Sequence, residues 1–133
     1  MKKTTLLNSN ISAVVSRMGH MDTIAIGDAG LPIPEGPERI DLAVCKGLPE
    51  FLPVLEAVLS ELCVQKAVIA SEMNEKNTAL YANLIAKFKD MGVQVVEVPH
   101  TVFKELTRAS KAVVRTGECL PYANIILESG VVF

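Results

Sequence analysis

Apolar residues recur along the chain at two spacings, one typical of helices and one typical of strands. Ile11, Val14, Val15 and Met18 fall at i, i+3, i+4 and i+7, which predicts a short helix that ends at the following glycine. The same spacing recurs further along the chain. Helices are therefore predicted over residues 10–19, 51–62 and 77–91, and a fourth, short helix carries Phe103, Lys104 and Leu106.

Short apolar runs between these helices predict strands. Residues 31–37 are rich in proline and residues 116–122 are polar, so both segments are expected to be loops. Because helices alternate with strands, we predict an α/β protein: a single layered domain, residues 1–133, with a mostly parallel or mixed sheet flanked by helices. The predicted strands are 23–27, 39–45, 67–70, 93–98, 111–115 and 124–127.

The composition fits one compact domain without a basic surface. Half of the 133 residues are hydrophobic, which is enough to build a core. The formal net charge of −2 gives no basic surplus, so neither nucleic acid nor an anionic membrane is expected as a partner. No apolar run approaches the roughly 20 residues of a membrane span, and the first residues are polar, so we expect a cytoplasmic protein.

The three cysteines, Cys45, Cys63 and Cys119, are widely spaced and form no Cys-x-x-Cys pair. Such an odd, scattered set does not predict a disulfide framework or a zinc site, and no Cys/His cluster has metal-ligand spacing. We expect all three to be buried thiols that pack as small hydrophobic side chains. The alternative is a nucleophilic role for Cys119, which lies beside Glu118 but has no histidine near it in sequence.

Two titratable residues flank the predicted strand 23–27. His20 follows a helix end, where the unpaired carbonyls of the last turn would favour the imidazolium form, and Asp22 could orient the ring. The alternative is that His20 only caps the helix. Asp28 ends the strand where α/β sheets often bind ligands, or it only forms the turn that stops the strand.

Further candidate groups follow later strands. His100 comes after the strand 93–98, and Lys104 lies one helical turn further on. The segment Arg115–Asn124 brings a guanidinium, a carboxylate, a phenol and an amide within ten residues, and each of these groups suits a polyhydroxylated ligand. The alternative is that both segments are ordinary solvated loops.

Several stretches together resemble the ribose pyranase and fucose mutarotase family over essentially the whole chain. The sequence has Asp-Ala-Gly-Leu-Pro and Tyr-Ala-Asn where fucose mutarotases have a histidine after Asp-Ala and have Tyr-Gly-Asn, so the resemblance is to the ribose branch. Met21 departs from the glycine or threonine that is usual in relatives. The stretches that carry the resemblance are residues 2–9, 19–22, 28–34, 100–104, 115–124 and 129–133.

The resemblance implies a function and the residues that perform it. The implied reaction interconverts β-D-ribopyranose and β-D-ribofuranose, supplying furanose for ribose catabolism, with His20 as the proton donor. The resemblance also implies a ring-shaped homo-oligomer, typically of ten chains, with sites completed at subunit contacts. The residues implied to contact D-ribose are Asp28, His100, Tyr122, Ala123 and Asn124, with Lys104 as a further candidate.

This reaction needs only proton transfers, because a hemiacetal opens and closes again through a different hydroxyl. General acid–base catalysis by a histidine suffices, and no metal or organic cofactor is implied. Two alternatives stay open from the sequence. One is a non-catalytic ribose-binding or transport-associated protein, and the other is a mutarotase that acts on fucose or another hexose.

Overall fold

The computed structural model describes all residues from Met1 to Phe133 and contains one six-stranded sheet. The strands are β1 (Thr23–Gly27), β2 (Glu38–Asp41), β3 (Val64–Ala70), β4 (Gln94–Val98), β5 (Ala112–Arg115) and β6 (Ile125–Ser129). The helices are α1 (Ser9–Arg17), α2 (Phe51–Leu59), α3 (Met73–Lys76), α4 (Thr78–Asp90) and α5 (His100–Leu106), and a 3-10 turn follows at Thr107–Ala109.

The sheet is mixed, with the strand order β2-β5-β1-β6-β3-β4. β6 pairs antiparallel with β1 and β3, and all other neighbours pair in parallel. Strands β1 to β5 therefore all end at one edge of the sheet, here called the carboxyl edge, where β6 begins. They all begin at the opposite edge, the amino edge, where β6 ends. This arrangement confirms the predicted fold class.

The two faces of the sheet carry cores of unequal size. Alternate residues of a strand point to opposite faces, so Ile24 and Ile26 join a core of 23 buried residues while Ala25 joins a core of six. Helices α1, α2 and α4 pack on the larger core, and Phe103 of α5 lies in the smaller one. The strands, supported on both faces, therefore hold the residues at their ends in fixed positions.

Most predicted elements are confirmed, with differences at their ends. Helix α1 begins at Ser9 because the Asn8 side chain caps it, with Oδ1 2.9 Å from the Ile11 amide nitrogen. The predicted strand 39–45 ends at Asp41, and β3 starts at Val64, three residues before its prediction. Helix α3 was not predicted because four residues are too few to show a period.

The expectation of three buried thiols is wrong. Cys45 and Cys119 are exposed, and Cys63 is half-buried. Cys45 and Cys119 lie in loops at the carboxyl edge, outside the core of the sheet. Their burial was predicted because cysteine is usually a buried residue type. Their positions in surface loops expose them instead.

None of the helices combines the length and the apolar character needed to cross a membrane.

Candidate functional site

The candidate residues lie at both edges of the sheet. His20 precedes β1 and Asp28 follows it, and a strand of five residues spans about 17 Å. The two side chains therefore belong to separate clusters within one chain. The amino-edge cluster consists of His20, Gln65, Lys66 and Glu128, and the carboxyl-edge cluster consists of Asp28, Glu72, His100, Tyr122 and Asn124.

Asp28 and Asn124 form a reciprocal pair at the carboxyl edge. The Asp28 amide donates to Asn124 Oδ1 at 2.8 Å, and Asn124 Nδ2 donates to Asp28 Oδ2 at 3.0 Å. The Gly30 amide donates to Asp28 Oδ1 at 2.9 Å, so Asp28 also forms the turn that stops the strand. Because Asn124 is buried, these bonds fix the direction of the half-buried carboxylate. Asp28 therefore both forms the turn that ends the strand and holds a carboxylate in a fixed direction.

His100 begins α5 and is held from two sides. Its backbone amide donates to both carboxylate oxygens of Glu72, at 3.1 and 2.9 Å, which links the ends of β3 and β4. Its ring lies edge-on to Tyr122 and parallel to Phe103, with centroid distances of 5.1 and 6.0 Å. Nδ1 is buried without a hydrogen-bond partner, so Nε2 is the ring nitrogen open to a ligand.

The surroundings of His100 favour its neutral form. Burial lowers the pKa of this imidazole, and the Lys104 ammonium acts in the same direction, against the weaker opposing charges of Glu72 and Asp28. The His100 amide in turn lowers the pKa of the Glu72 carboxyl. Near pH 7 the cluster therefore combines a neutral imidazole with a charged carboxylate. Lys104 therefore acts on this cluster through its charge.

Glu118 organises the loop that carries Tyr122 and Asn124. One carboxylate oxygen accepts from the amides of Cys119 and Leu120, at 2.9 and 3.0 Å, and the other accepts from the Phe51 amide at 3.3 Å. The Glu118 carbonyl also accepts from the amide that follows Asp28, at 2.8 Å. Glu118 thus connects the loop to α2 through its carboxylate and to the end of β1 through its carbonyl, a role that the sequence did not indicate.

The backbone of this loop has conformations that limit its side chains. Tyr122 has a φ of 56°, in the left-handed region, which turns the chain sharply before β6. Ala123 is 1% exposed and its methyl group lies in the larger core. The methyl group of Ala123 is therefore not available to a ligand. Gly117 has no room for a side chain, since an added Cβ would lie 2.4 Å from the Leu48 carbonyl oxygen.

At the amino edge the ring of His20 contacts a residue of β3. Nε2 lies 3.0 Å from Gln65 Oε1, and Gln65 Nε2 donates to Glu128 Oε1 at 2.8 Å. Glu128 also forms an ion pair with Lys66. The His20 ring is exposed to solvent, in a cleft of about 410 Å³. No pattern in the sequence indicated Gln65, which is 45 positions away along the chain.

Two sequence interpretations of this region are wrong. Asp22 does not orient the ring of His20, because its carboxylate accepts from the Gly19 amide at 2.9 Å and pairs with Lys111 at 3.2 Å. His20 is not the cap of α1 either, since the Met18 amide closes that helix. Met21 has a φ of 69°, in the left-handed region that favours glycine.

No group of three or more His, Cys, Asp or Glu side chains is arranged so that it could hold a metal ion.

The fold and these clusters define a small α/β protein with ligand-type groups at both edges of one mixed sheet. The D-ribose pyranases of Coprothermobacter proteolyticus and Rhodopirellula baltica are 56% and 53% identical to this chain, over the full length of both partners. The Bacillus subtilis RbsD structure, complexed with D-ribose, matches with a TM-score of 0.94 and 41% identity, covering both chains completely. Residues 1–132 match the RbsD / FucU transport protein family. The chain belongs to this family.

Proposed function

We propose that this protein is a D-ribose pyranase, an isomerase that interconverts β-D-ribopyranose and β-D-ribofuranose. The observation that carries the proposal is the full-length identity of 56% to a D-ribose pyranase. The carboxyl-edge cluster supports it, because the fold brings together groups that suit a sugar from three distant parts of the sequence. A cytoplasmic location is part of the proposal, since ribose taken up by a cell is metabolised there.

The carboxyl-edge cluster is proposed to bind the sugar. The fixed carboxylate of Asp28 can accept hydrogen bonds from hydroxyl groups, and the free Nε2 of His100 can exchange a hydrogen bond with another. Tyr122 adds an aromatic ring beside the imidazole, and Ala123 offers its backbone. Asn124 contributes through its pair with Asp28. Polar groups around an apolar surface are the usual composition of a monosaccharide site.

The proposed chemistry transfers only protons. His20, as the imidazolium, donates a proton to the ring oxygen while the bond between that oxygen and the anomeric carbon breaks. The anomeric hydroxyl loses its proton to a base, and the neutral imidazole of His100 suits that task. The 4-hydroxyl of the open aldehyde then attacks the same carbon, and the two proton transfers run in reverse. No proton is gained or lost overall, so neither a metal nor an organic cofactor is required.

One sugar cannot reach both clusters of a single chain. The length of β1, about 17 Å, exceeds the width of a monosaccharide, and the strand holds the two clusters apart. We therefore propose that His20 of one chain and the carboxyl-edge cluster of another complete each site. The proposal includes a homo-oligomer, with the ring of ten chains as the expected form. An interface between copies would also cover exposed apolar side chains, among them Val44, Leu48 and Leu120.

Light scattering tests the assembly directly. At micromolar concentration the protein is expected to have a mass many times the 14.3 kDa of one chain, because each complete site requires a neighbour. A monomer that still accelerates the reaction at full rate would contradict the shared site.

Magnetisation-transfer NMR on ribose at equilibrium tests the function. The enzyme is expected to accelerate exchange between the pyranose and furanose signals, by roughly a hundred- to ten-thousand-fold for the acid–base contribution. A ribose-binding or transport-associated protein would bind the sugar and leave its exchange unchanged. A mutarotase for another sugar would accelerate exchange between the anomers of fucose and leave ribose unaffected. Either of these last two results would overturn the proposed function.

A further inference from the structure

Glu128 is a charged carboxylate at the end of a chain of contacts that leads to His20. It is 9% exposed and lies on β6, opposite Lys66 in the register of the sheet. The Lys66 ammonium, and then the amide of Gln65, hold the pKa of this carboxyl below its usual range. Glu128 is therefore ionised near neutral pH, and an ionised carboxylate can only accept hydrogen bonds.

This acceptor determines which way the Gln65 amide points. An amide has a donor end and an acceptor end, and only the donor end can bond to a carboxylate. The nitrogen of Gln65 therefore faces Glu128, at 2.8 Å, and its oxygen faces His20. In the reverse orientation the Gln65 oxygen would face the Glu128 carboxylate, and both groups are acceptors. The charge-assisted hydrogen bond between Gln65 and Glu128 would then be lost, beside the half-buried ion pair of Glu128 with Lys66.

The amide orientation determines the proton on His20. Gln65 Oε1 lies 3.0 Å from Nε2 of the ring, and since this oxygen only accepts, Nε2 must carry a hydrogen. We propose that Gln65 and Glu128 are positioning residues that hold His20 in its Nε2–H tautomer, so that Nδ1 is the atom that exchanges a proton with the sugar. The second half of this inference rests on the proposed function.

The proton then has a defined path. The imidazolium donates the Nδ1 proton to the ring oxygen of the sugar as the bond from that oxygen to the anomeric carbon breaks, and Nε2 keeps its hydrogen bond to Gln65. His20 is left as a neutral imidazole whose Nδ1 lone pair can take a proton when the ring closes. The carboxylate never contacts the sugar and acts only through the amide.

The other ionisable groups around His20 have different partners. Asp22 is bound by the Gly19 amide and Lys111. Glu61, which lines the same cleft, is bound by Thr4 and Lys2. The thiol of Cys63 donates to the Val131 carbonyl. The contact with Gln65 is thus the hydrogen bond that sets the ring proton of His20.

Nitrogen-15 NMR of the imidazole tests the tautomer in the assembled, histidine-labelled protein. At a pH where the ring is neutral, the parent His20 is expected to show a protonated Nε2 and an unprotonated Nδ1. In Glu128→Gln the Gln65 amide can face either way, so the two nitrogen shifts of His20 should move toward each other. The rate of ribose exchange at saturating sugar should fall by roughly tenfold. This is less than the full rate contribution of a positioned acid, because His20 itself is still present.

A second variant covers the case in which replacing a buried carboxylate prevents folding. Gln65 is exposed, and Gln65→Lys would place an ammonium, which only donates, between Glu128 and His20. This change is expected to invert the tautomer, leaving Nε2 unprotonated and the hydrogen on Nδ1. The matched control is Glu56→Gln, which removes the carboxylate of another pair with lysine, Glu56 with Lys87, and should leave the His20 shifts unchanged.

Two results would overturn the inference. One is a parent His20 with its hydrogen on Nδ1, and the other is a Gln65→Lys protein with the parent nitrogen shifts. Neither measurement depends on activity, so a protein that failed to accelerate ribose exchange would refute the proposed function while the tautomer of His20 was still determined.

Discussion

The His20→Ala protein is expected to lose most of its acceleration of pyranose–furanose exchange while it keeps its fold and assembly. The side chain is exposed and makes one hydrogen bond, to Gln65, and such a bond contributes about 0.5–1.5 kcal/mol to stability. The loss of a positioned acid, in contrast, costs roughly a hundred- to ten-thousand-fold in rate. Magnetisation transfer gives the rate, and thermal unfolding with light scattering gives the stability and the mass.

Asp28→Asn provides the contrasting variant, since it should weaken ribose binding more than it lowers the rate of pyranose–furanose exchange in bound ribose. Both carboxylate oxygens already accept hydrogen bonds, from Gly30 and from Asn124. An amide in their place would turn its NH2 group toward one of these donors and would lose a charge-assisted acceptor, worth about 1.5–3 kcal/mol.

If assembled His20→Ala protein exchanged ribose at the parent rate, His20 could not be the acid.

Co-assembly of two impaired variants is expected to restore activity above that of either variant alone. His20→Ala chains keep an intact carboxyl-edge cluster, and Asp28→Ala chains keep an intact His20. In an equal, random mixture, half of the acids and half of the carboxyl edges are intact, so about a quarter of the shared sites should be complete (½ × ½). The measurement is the exchange rate of co-expressed, differently tagged chains that are purified through both tags.

The control for this experiment pairs His20→Ala with the double variant that carries both substitutions. No chain in that mixture supplies His20, so its activity should equal that of His20→Ala alone. The absence of recovery in the first mixture, with assembly confirmed by mass, would mean that His20 and Asp28 act on different sugars or within one chain.

The sequence predicted the carboxyl-edge cluster better than the amino-edge cluster, for a physical reason. Parallel strands end together at one edge, so polar residues that follow predicted strands, such as Asp28 and His100, lie at that edge whatever the strand order. The partner of His20 depends instead on strand order and register, which periodicity does not contain. Local spacing favoured Asp22, but β3 lies within reach and supplies Gln65.

The hydrophobic pattern likewise does not predict the direction of β6. A short apolar run such as residues 125–127 looks the same whether its strand pairs parallel or antiparallel. The register places Ile125 of β6 opposite Ile26 near the end of β1, and this pairing brings Asn124 beside Asp28. The amide of Asn124 could be recognised as a candidate from its type, whereas its partner could be identified only from the fold.

The segment between β5 and β6 leaves the sheet and returns to it at the same edge. Its two ends are fixed by the pairing of β5 and β6 with β1, while Glu118 and Tyr122 shape the part between them. Residues inside the segment belong to no strand ladder, so the sheet does not constrain their identity. The exposed residues of the segment, unlike the packed Gly117 and Ala123, can therefore change without disturbing the sheet, and a lineage can vary them while it inherits the sheet unchanged.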